Sequence, residues 1–234
     1  MSEITTLLWD VDGTLLDFET SEEICMNQCL ENYGISIDRQ QFEWYKACNR
    51  SYWERFERKE IPKERVYIGR FEDFFAYLEI DGIDYRSFND DYQKELGNSA
   101  VLQDYALELC QRLSAKYRQY VVTNGSSIAQ NGKLRDSQLY GLMDGIFISE
   151  EMGTEKPSKE FFDLCAQKIP DYDPQATMII GDSLTSDMAG GGNAGIRCCW
   201  YNPAGLPVPE GMKIDYVISS LRELETILLV EEGA

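Results

Sequence analysis

Histidine is missing from all 234 residues of this chain. That absence removes Ser-His-Asp and Cys-His catalysis, histidine-ligated zinc and phosphohistidine chemistry together. Acid–base work near neutral pH then falls to carboxylates, lysine, tyrosine or cysteine. Cations are scarce as well: 22 Lys and Arg stand against 41 Asp and Glu, a formal net charge of −19. Polymeric nucleic acid and anionic membranes both need clustered cations, so neither is expected as a partner. The same charge repels small anions at long range, but screening confines that to roughly a Debye length, ~8–10 Å. A local metal and one or two placed cations can outweigh it. No run of about eighteen apolar residues exists, and Met1-Ser2-Glu3-Ile4 has neither a basic nor a long apolar leader region. The chain is expected to be cytoplasmic and free of the membrane. Its cysteines (Cys25, Cys29, Cys48, Cys110, Cys165, Cys198 and Cys199) are odd in number and include no C-x-x-C pair. Reduced, mostly buried thiols are expected, not a disulfide framework.

What is present organises itself around Ile4 to Leu16. An apolar run through Leu7, Leu8 and Trp9 ends at Asp10 and Asp12, then Gly13 and Thr14. The run reads as a short buried strand and Gly13 as its stop. Two carboxylates at such a strand end need a cation or a proton to offset them, although a strand running into an Asp-Gly turn is also common.

Between residues 17 and 97 no strand is expected. Asp17 to Asn32 reads as a helix with Ile24, Cys25, Gln28, Cys29 and Leu30 on one mixed face, stopped at Gly34. Asp38 opens a second helix carrying Phe42, Tyr45, Cys48, Tyr52, Trp53 and Phe56 at three- and four-residue spacing. A third carries Val66, Ile68, Phe71, Phe74, Phe75 and Leu78, and a fourth follows Gly82. Such aromatic stripes point to helix–helix core more than to a cofactor box. From about residue 101, helices alternate with short apolar strands, the pattern of βαβ units around a parallel sheet. The helix expected after the fourth strand begins at Asp187, and residues 231–234 are expected to fray.

Three strand ends carry polar residues: Asp10/Asp12, Thr123-Asn124-Gly125, and Asp182 followed by Asp187. In a parallel sheet these ends share one edge, so the four aspartates are expected in one pocket. Carboxylates without histidine or a thiolate cluster make a hard-oxygen site suited to Mg²⁺. Asp182-Ser183 could instead cap the next helix, and Lys156 could be either a counter-cation to this edge or a surface lysine.

Four segments, Asp10-Val-Asp12-Gly-Thr14, Thr123-Asn-Gly, Lys156-Pro and Gly181-Asp182-Ser-Leu-Thr-Ser-Asp187, resemble in order the motifs of the haloacid dehalogenase (HAD) superfamily. The resemblance implies an α/β fold, with a doubly wound parallel sheet as core (residues 1–16 and 98–234). An all-helical C1 cap domain (17–97) would be inserted into it. It implies Asp10 as nucleophile on phosphorus and Asp12 as proton donor to the leaving oxygen. Mg²⁺ would be held by Asp10, the Asp12 main-chain carbonyl and Asp182, with Asp187 acting through water or as support. Thr123, Asn124 and Lys156 would hold phosphoryl oxygens, and Thr14 would support Asp12. Asp12 favours phosphate over halide, because a leaving halide needs no proton.

A narrower resemblance runs through Asn49-Arg-Ser-Tyr-Trp53, Gly69-Arg70-Phe71-Glu72, Ile148 to Pro157 and Asn193 to Asn202. These are similar to pyrimidine 5′-nucleotidases acting on nucleoside monophosphates. Asn49 would read a base edge, Trp53 stack on it, and Arg70 neutralise charge or brace the cap; Trp53 could equally be helical core and Arg70 an internal ion pair. A segment that varies from those relatives, Leu102-Gln103-Asp104, falls in a loop. The expected substrate is thus a small phosphorylated metabolite, a nucleoside monophosphate, handled by a monomer or homodimer. A phosphosugar phosphatase, a phosphomutase and a non-catalytic interaction module of the same fold are the alternatives.

Overall fold

Apolar runs and turn residues alternate along the chain, and the computed structural model, which describes residues 3–229, turns each run into a strand or helix. Strand β1 (Thr6–Trp9) leads into α1 (Phe18–Asn32), α2 (Arg39–Glu57), α3 (Lys63–Tyr77) and α4 (Tyr85–Gly97). Then come α5 (Ala106–Leu113), β2 (Arg118–Thr123), α6 (Ser127–Asp136), β3 (Gly145–Ile148), α7 (Ser149–Met152) and α8 (Lys159–Lys168). The chain continues with β4 (Thr177–Gly181), α9 (Ala189–Ala194), β5 (Arg197–Tyr201), β6 (Tyr216–Ile218) and α10 (Glu223–Leu228). Residues 231–234, where fraying was expected, lie outside the described residues.

Among the described residues the strands form one parallel sheet in the order β3-β2-β1-β4-β5-β6. Strand β1 lies inside it with layers on both faces, so all four of its residues are buried. Leu7 and Trp9 pack with α5 and α10 on one face, while Leu8 packs with Phe161 and Phe162 of α8 on the other. The period-two alternation of a strand thus feeds two separate cores. Gln119 is fully buried in β2 without cost because each end is paired: it accepts from Trp9 Nε1 at 3.1 Å and donates to the Cys110 carbonyl at 2.8 Å. Strand order reverses between β1 and β4, which opens a crevice beyond their carboxyl ends.

Helices α1 to α4 build their own core from Phe42, Tyr45, Phe71, Phe74, Phe75, Phe88 and Tyr92, so the aromatic stripes are helix–helix packing. Asp38 caps α2 in a reciprocal box with Gln41, each accepting from the other's backbone N–H at 2.8 Å. On α1 the buried face is turned from the one expected: Ser21, Glu22, Cys25, Met26, Cys29 and Leu30 point inward, and Ile24 is exposed. All cysteines are free thiols, every one buried except the half-buried Cys48. No described helix is long and apolar enough to cross a membrane.

The segments joining the helical layer to the sheet run side by side. Asp17 N–H donates to the Val101 carbonyl at 2.8 Å and Gln103 N–H to that of Leu15 at 3.0 Å. Helix α4 then seats on α6 where Gly97 faces Gly132. A Cβ on Gly132 would lie 2.7 Å from the Gly97 Cα, closer than packed atoms tolerate. By contrast, a Cβ on Gly192 of α9 meets nothing within 4 Å. The two glycines should therefore respond oppositely to alanine. Gly132→Ala gains helix propensity but overpacks the seam, a net loss of about 1–3 kcal/mol. Gly192→Ala gains up to ~1 kcal/mol. Urea unfolding midpoints check this, and equal shifts would refute the seam as the constraint.

Candidate active site

Beyond Trp9 the chain leaves the sheet in a tight loop. Asp10 N–H still pairs with the Ile180 carbonyl at 2.9 Å, but Leu16 N–H returns to the Val11 carbonyl and Gly13 N–H to that of Leu16, both at 2.9 Å. Gly13 has φ +86°, and a Cβ there would sit 2.5 Å from Asp182 Oδ2, so both the conformation and the contact require glycine. The loop leaves Asp10 buried at the strand end and Asp12 half-buried one turn further out.

Lys156 arrives from the loop before α8. Asn124 holds it on both sides of its own backbone, accepting from Lys156 N–H and donating to its carbonyl, each at 2.9 Å. The Lys156 ammonium spends all three donors: on Asp10 Oδ1 at 2.7 Å, Asp187 Oδ1 at 2.6 Å and the Val122 carbonyl at 2.8 Å. Lys156 is a buried counter-cation, not a surface lysine. The Thr14 hydroxyl donates to Asp10 Oδ2 at 3.2 Å; it supports Asp10 and not Asp12, because the loop turns Asp12 away. Thr123 accepts weakly from Gly125 N–H at 3.4 Å at the end of β2.

Asp187 does not begin a regular helix. Leu184–Met188 form a widened π-type turn in which Asp187 and Met188 N–H both reach the Ser183 carbonyl at 3.0 Å. Asp187 Oδ2 accepts from Ser183 N–H at 3.1 Å, which folds the carboxylate back against Gly181. Carboxylate oxygens of Asp10, Asp182 and Asp187 consequently lie within 4.8 Å of one another. One lysine cannot balance three carboxylates. Burial and then Asp187 push the Asp10 carboxyl up to about 7, against the opposing pull of Lys156. Asp182 is exposed at the cavity, yet the protein packed around its carboxyl, followed by Asp10 and Asp187, raises it above the usual carboxylate range. Burial alone would lower Lys156, but Asp10 and Asp187 outweigh it and hold the ammonium protonated. An all-oxygen donor set short of positive charge suits a hard divalent cation.

A cavity of about 740 Å³ rises from these residues between the layers. Its floor includes Asp10, Asp12, Thr123, Lys156 and Asp182, and its roof Glu22, Asn49, Trp53, Tyr67 and Arg70. Asn49 and Arg70 are buried and tied together: Arg70 Nη1 donates to Asn49 Oδ1 at 2.8 Å, and Asn49 Nδ2 to Glu22 Oε1 at 2.7 Å. Arg70 lies over the Phe71 and Tyr92 rings, 4.5 and 4.9 Å from their centroids. Its Nε and the Tyr67 hydroxyl are buried without a hydrogen-bond partner. Trp53 is both core and wall: it packs edge-on against Phe56 and Tyr67 while lining the cavity. Hydrogen bonds from three side chains, Lys63, Ser126 and Thr185, tie the layers together. Lys63 donates to the Gly125 carbonyl and Ser149 Oγ at 3.0 Å, Ser126 to Gln93 at 2.6 Å, and Thr185 to Glu57 at 2.5 Å.

Sequence motifs left three site residues unmarked. Glu22 is a carboxylate on the buried face of α1, raised to about 7 by burial; its spacing to Cys25 and Cys29 was the available signal. Gln130 and Lys133 of α6 both reach the Asp12 carboxylate and are buried. Their signal was weaker, two polar residues three apart beside Ala129 and Leu134.

A family model described as haloacid dehalogenase-like hydrolase matches residues 4–195. Among curated proteins, the chain is 37% identical over 235 residues to the HAD-hydrolase YfnB of Bacillus subtilis, covering 99% of this chain and 98% of that one. It is 34% identical to the pyrimidine 5′-nucleotidase PynA of Streptococcus pneumoniae (93% and 92% covered). It is 28% identical to the pyrimidine 5′-nucleotidase YjjG of Escherichia coli (95% and 96% covered). A crystal structure of YfnB bound to magnesium superposes with a TM-score of 0.92 at 35% identity, over 97% of this chain and 99% of that one.

Raised carboxyls reverse the usual acid–base linkage of stability. Asp10 and Glu22 bind protons up to about 7 when folded but release them near their ordinary 3.8 and 4.5 when unfolded. Between those limits the folded state holds more protons, so stability falls as pH rises. In chelator, the protein should unfold at lower denaturant at about pH 7.5 than at about pH 5. Asp10→Asn should flatten that slope. A metal-free stability that climbs over the same interval would contradict the electrostatics described.

Proposed function

Because this chain belongs to the haloacid dehalogenase-like hydrolase family and is a phosphatase of it, we propose that it hydrolyses small phosphomonoesters with Mg²⁺ through an aspartyl-phosphate on Asp10. Nucleoside 5′-monophosphates with a pyrimidine base are the preferred substrates. The observation that carries this is the Lys156 ammonium bound to Asp10 and Asp187 on the floor of a cavity that also holds Asp12.

An Asp10 oxygen attacks phosphorus in line and the bond to the leaving oxygen breaks. Asp12 gives that oxygen its proton. Water then attacks the acyl phosphate, Asp12 takes a proton from it, and Asp10 departs as carboxylate. Thr14 keeps one Asp10 oxygen oriented and Lys156 the other. Thr123 and Lys156 offset charge on the transferring group, and Asn124, occupied with the Lys156 backbone, acts by holding that loop. Asp10, Asp182 and the Asp12 main-chain carbonyl would hold Mg²⁺, with Asp187 in support. The ion supplies positive charge to the phosphoryl oxygens.

Residues 17–97 serve as a cap over a core of 1–16 and 98–234, hinged where the two connecting segments pair and closing to exclude water. The unpartnered Arg70 Nε and Tyr67 hydroxyl offer donors to base carbonyls, and Trp53 offers a ring face. Asn49 has both ends engaged and acts by bracing Arg70 and Glu22. The free thiols suit the cytoplasm.

Phosphate release from a panel of nucleoside monophosphates and sugar phosphates tests this. Pyrimidine nucleotides should rank first, EDTA should abolish turnover, and Asp10→Asn should lose on the order of 10³-fold or more in kcat. Unchanged turnover in Asp10→Asn refutes the nucleophile. A preference for sugar phosphates refutes the substrate class alone.

A further inference from the structure

Two carboxylates separated by one residue end up with different partners. Asp10 faces Lys156 and Thr14, whereas both oxygens of Asp12 are turned to α6. Lys133 Nζ pairs with Asp12 Oδ1, and Gln130 Nε2 donates to Asp12 Oδ2 at 2.7 Å. With one donor on each oxygen, rotating the carboxyl group breaks both contacts at once.

Neither donor is accounted for by packing. The Lys133 side chain is 0% exposed, and among the described residues Asp12, itself 26% exposed, is its ion-pair partner. The Phe18 ring, 5.5 Å from Nζ, is its other charge-stabilising neighbour. A methionine in that space would fill the volume without burying an ammonium, which is the less costly choice for stability alone. Gln130 makes a similar sacrifice. Its amide nitrogen is committed to Asp12 Oδ2, and Oε1 is left buried without a partner.

The neighbouring loop is shaped to let this happen. A Cβ on Gly125 would come within 2.7 Å of Gln130 Cγ and Cδ, so the glycine after Asn124 leaves the path along which Gln130 reaches Asp12. The same helix carries Gly132, the seat of α4.

We propose that Lys133 and Gln130 are positioning residues for Asp12, holding its carboxyl group where the leaving oxygen must receive its proton. This rests on the reading of Asp12 as proton donor. Their loss then penalises esters whose leaving group needs that proton and spares those whose leaving group departs as a stable anion. From a nucleoside 5′-monophosphate the departing group is the nucleoside 5′-alkoxide, which needs a proton; from p-nitrophenyl phosphate it is p-nitrophenolate, a stable anion that does not.

The test is kcat/KM, which reports on steps up to loss of the first product, for both esters with saturating Mg²⁺. Lys133→Met should lower kcat/KM for the nucleotide about 100-fold or more, and for p-nitrophenyl phosphate less than about 3-fold. Lys133→Arg, which keeps a charged donor, should recover most of the nucleotide rate. Gln130→Leu should show the same asymmetry at about 10-fold, and it carries the test if Lys133→Met does not fold. Asp12→Asn provides the pattern to be matched. Equal losses on both esters, or no loss on either, overturn the inference while leaving the proposed phosphatase intact. A wild-type protein that releases phosphate from neither ester overturns the function itself, and this inference with it.

Discussion

One buried ammonium ties the functional edge of this molecule together. Lys156 binds Asp10 after β1, the Val122 carbonyl in β2 and Asp187 in the turn after β4. Removing one partner of such a buried contact typically costs about 3–5 kcal/mol, because the other charge is stranded. The lysine can stay protonated there only because two carboxylates outweigh its burial. Three carboxylates against one ammonium remain two positive charges short, which, added to burial, raises the Asp10 and Asp182 carboxyls and is why a divalent ion fits. Structure and reactivity thus share one origin: a charge deficit at the ends of central strands.

Around that deficit the chain separates two carboxylates that are neighbours in sequence. Gly13 turns the loop so tightly against Asp182 that Asp10 stays under the sheet edge while Asp12 swings toward α6. Different surroundings suit chemically identical side chains to the different work proposed for them, Asp10 as a nucleophile held by Lys156 and Thr14, Asp12 as a proton carrier held by α6. The helical layer completes the site by seating α4 on that same helix, so the roof of the cavity and the orientation of Asp12 share one support.

Much of this was readable from residue order. Polar residues at the ends of apolar strands revealed the shared edge, since strands are short and local, and a parallel sheet brings their ends together whatever lies between. The aromatic stripes of α2 and α3 announced a helical core for the same reason: spacing alone places them on one face. Partners brought together by tertiary packing were not readable. Gln130 and Lys133 meet Asp12 across more than a hundred residues, and Thr14 chose Asp10 over Asp12 because of a loop whose shape depends on Asp182. The turn at Leu184–Met188 replaced an expected helix start because Asp187 folds back on Ser183. On α1, Ile24 was given to the core by hydropathy, yet the face that packs is set by Tyr92 and Asn49, which draw Glu22 inward.

The proposed function depends on Asp10 forming a covalent bond to phosphorus, and such a bond would be open to chemical trapping. The enzyme, quenched in acid during turnover of a nucleoside monophosphate, should be reduced with borohydride, which converts an acyl phosphate to the corresponding alcohol, and the peptides sequenced by mass spectrometry. The account predicts reduction at Asp10 and at no other aspartate. Reduction at Asp12 or Asp182, or a fully unmodified Asp10 peptide under conditions of active turnover, would contradict it.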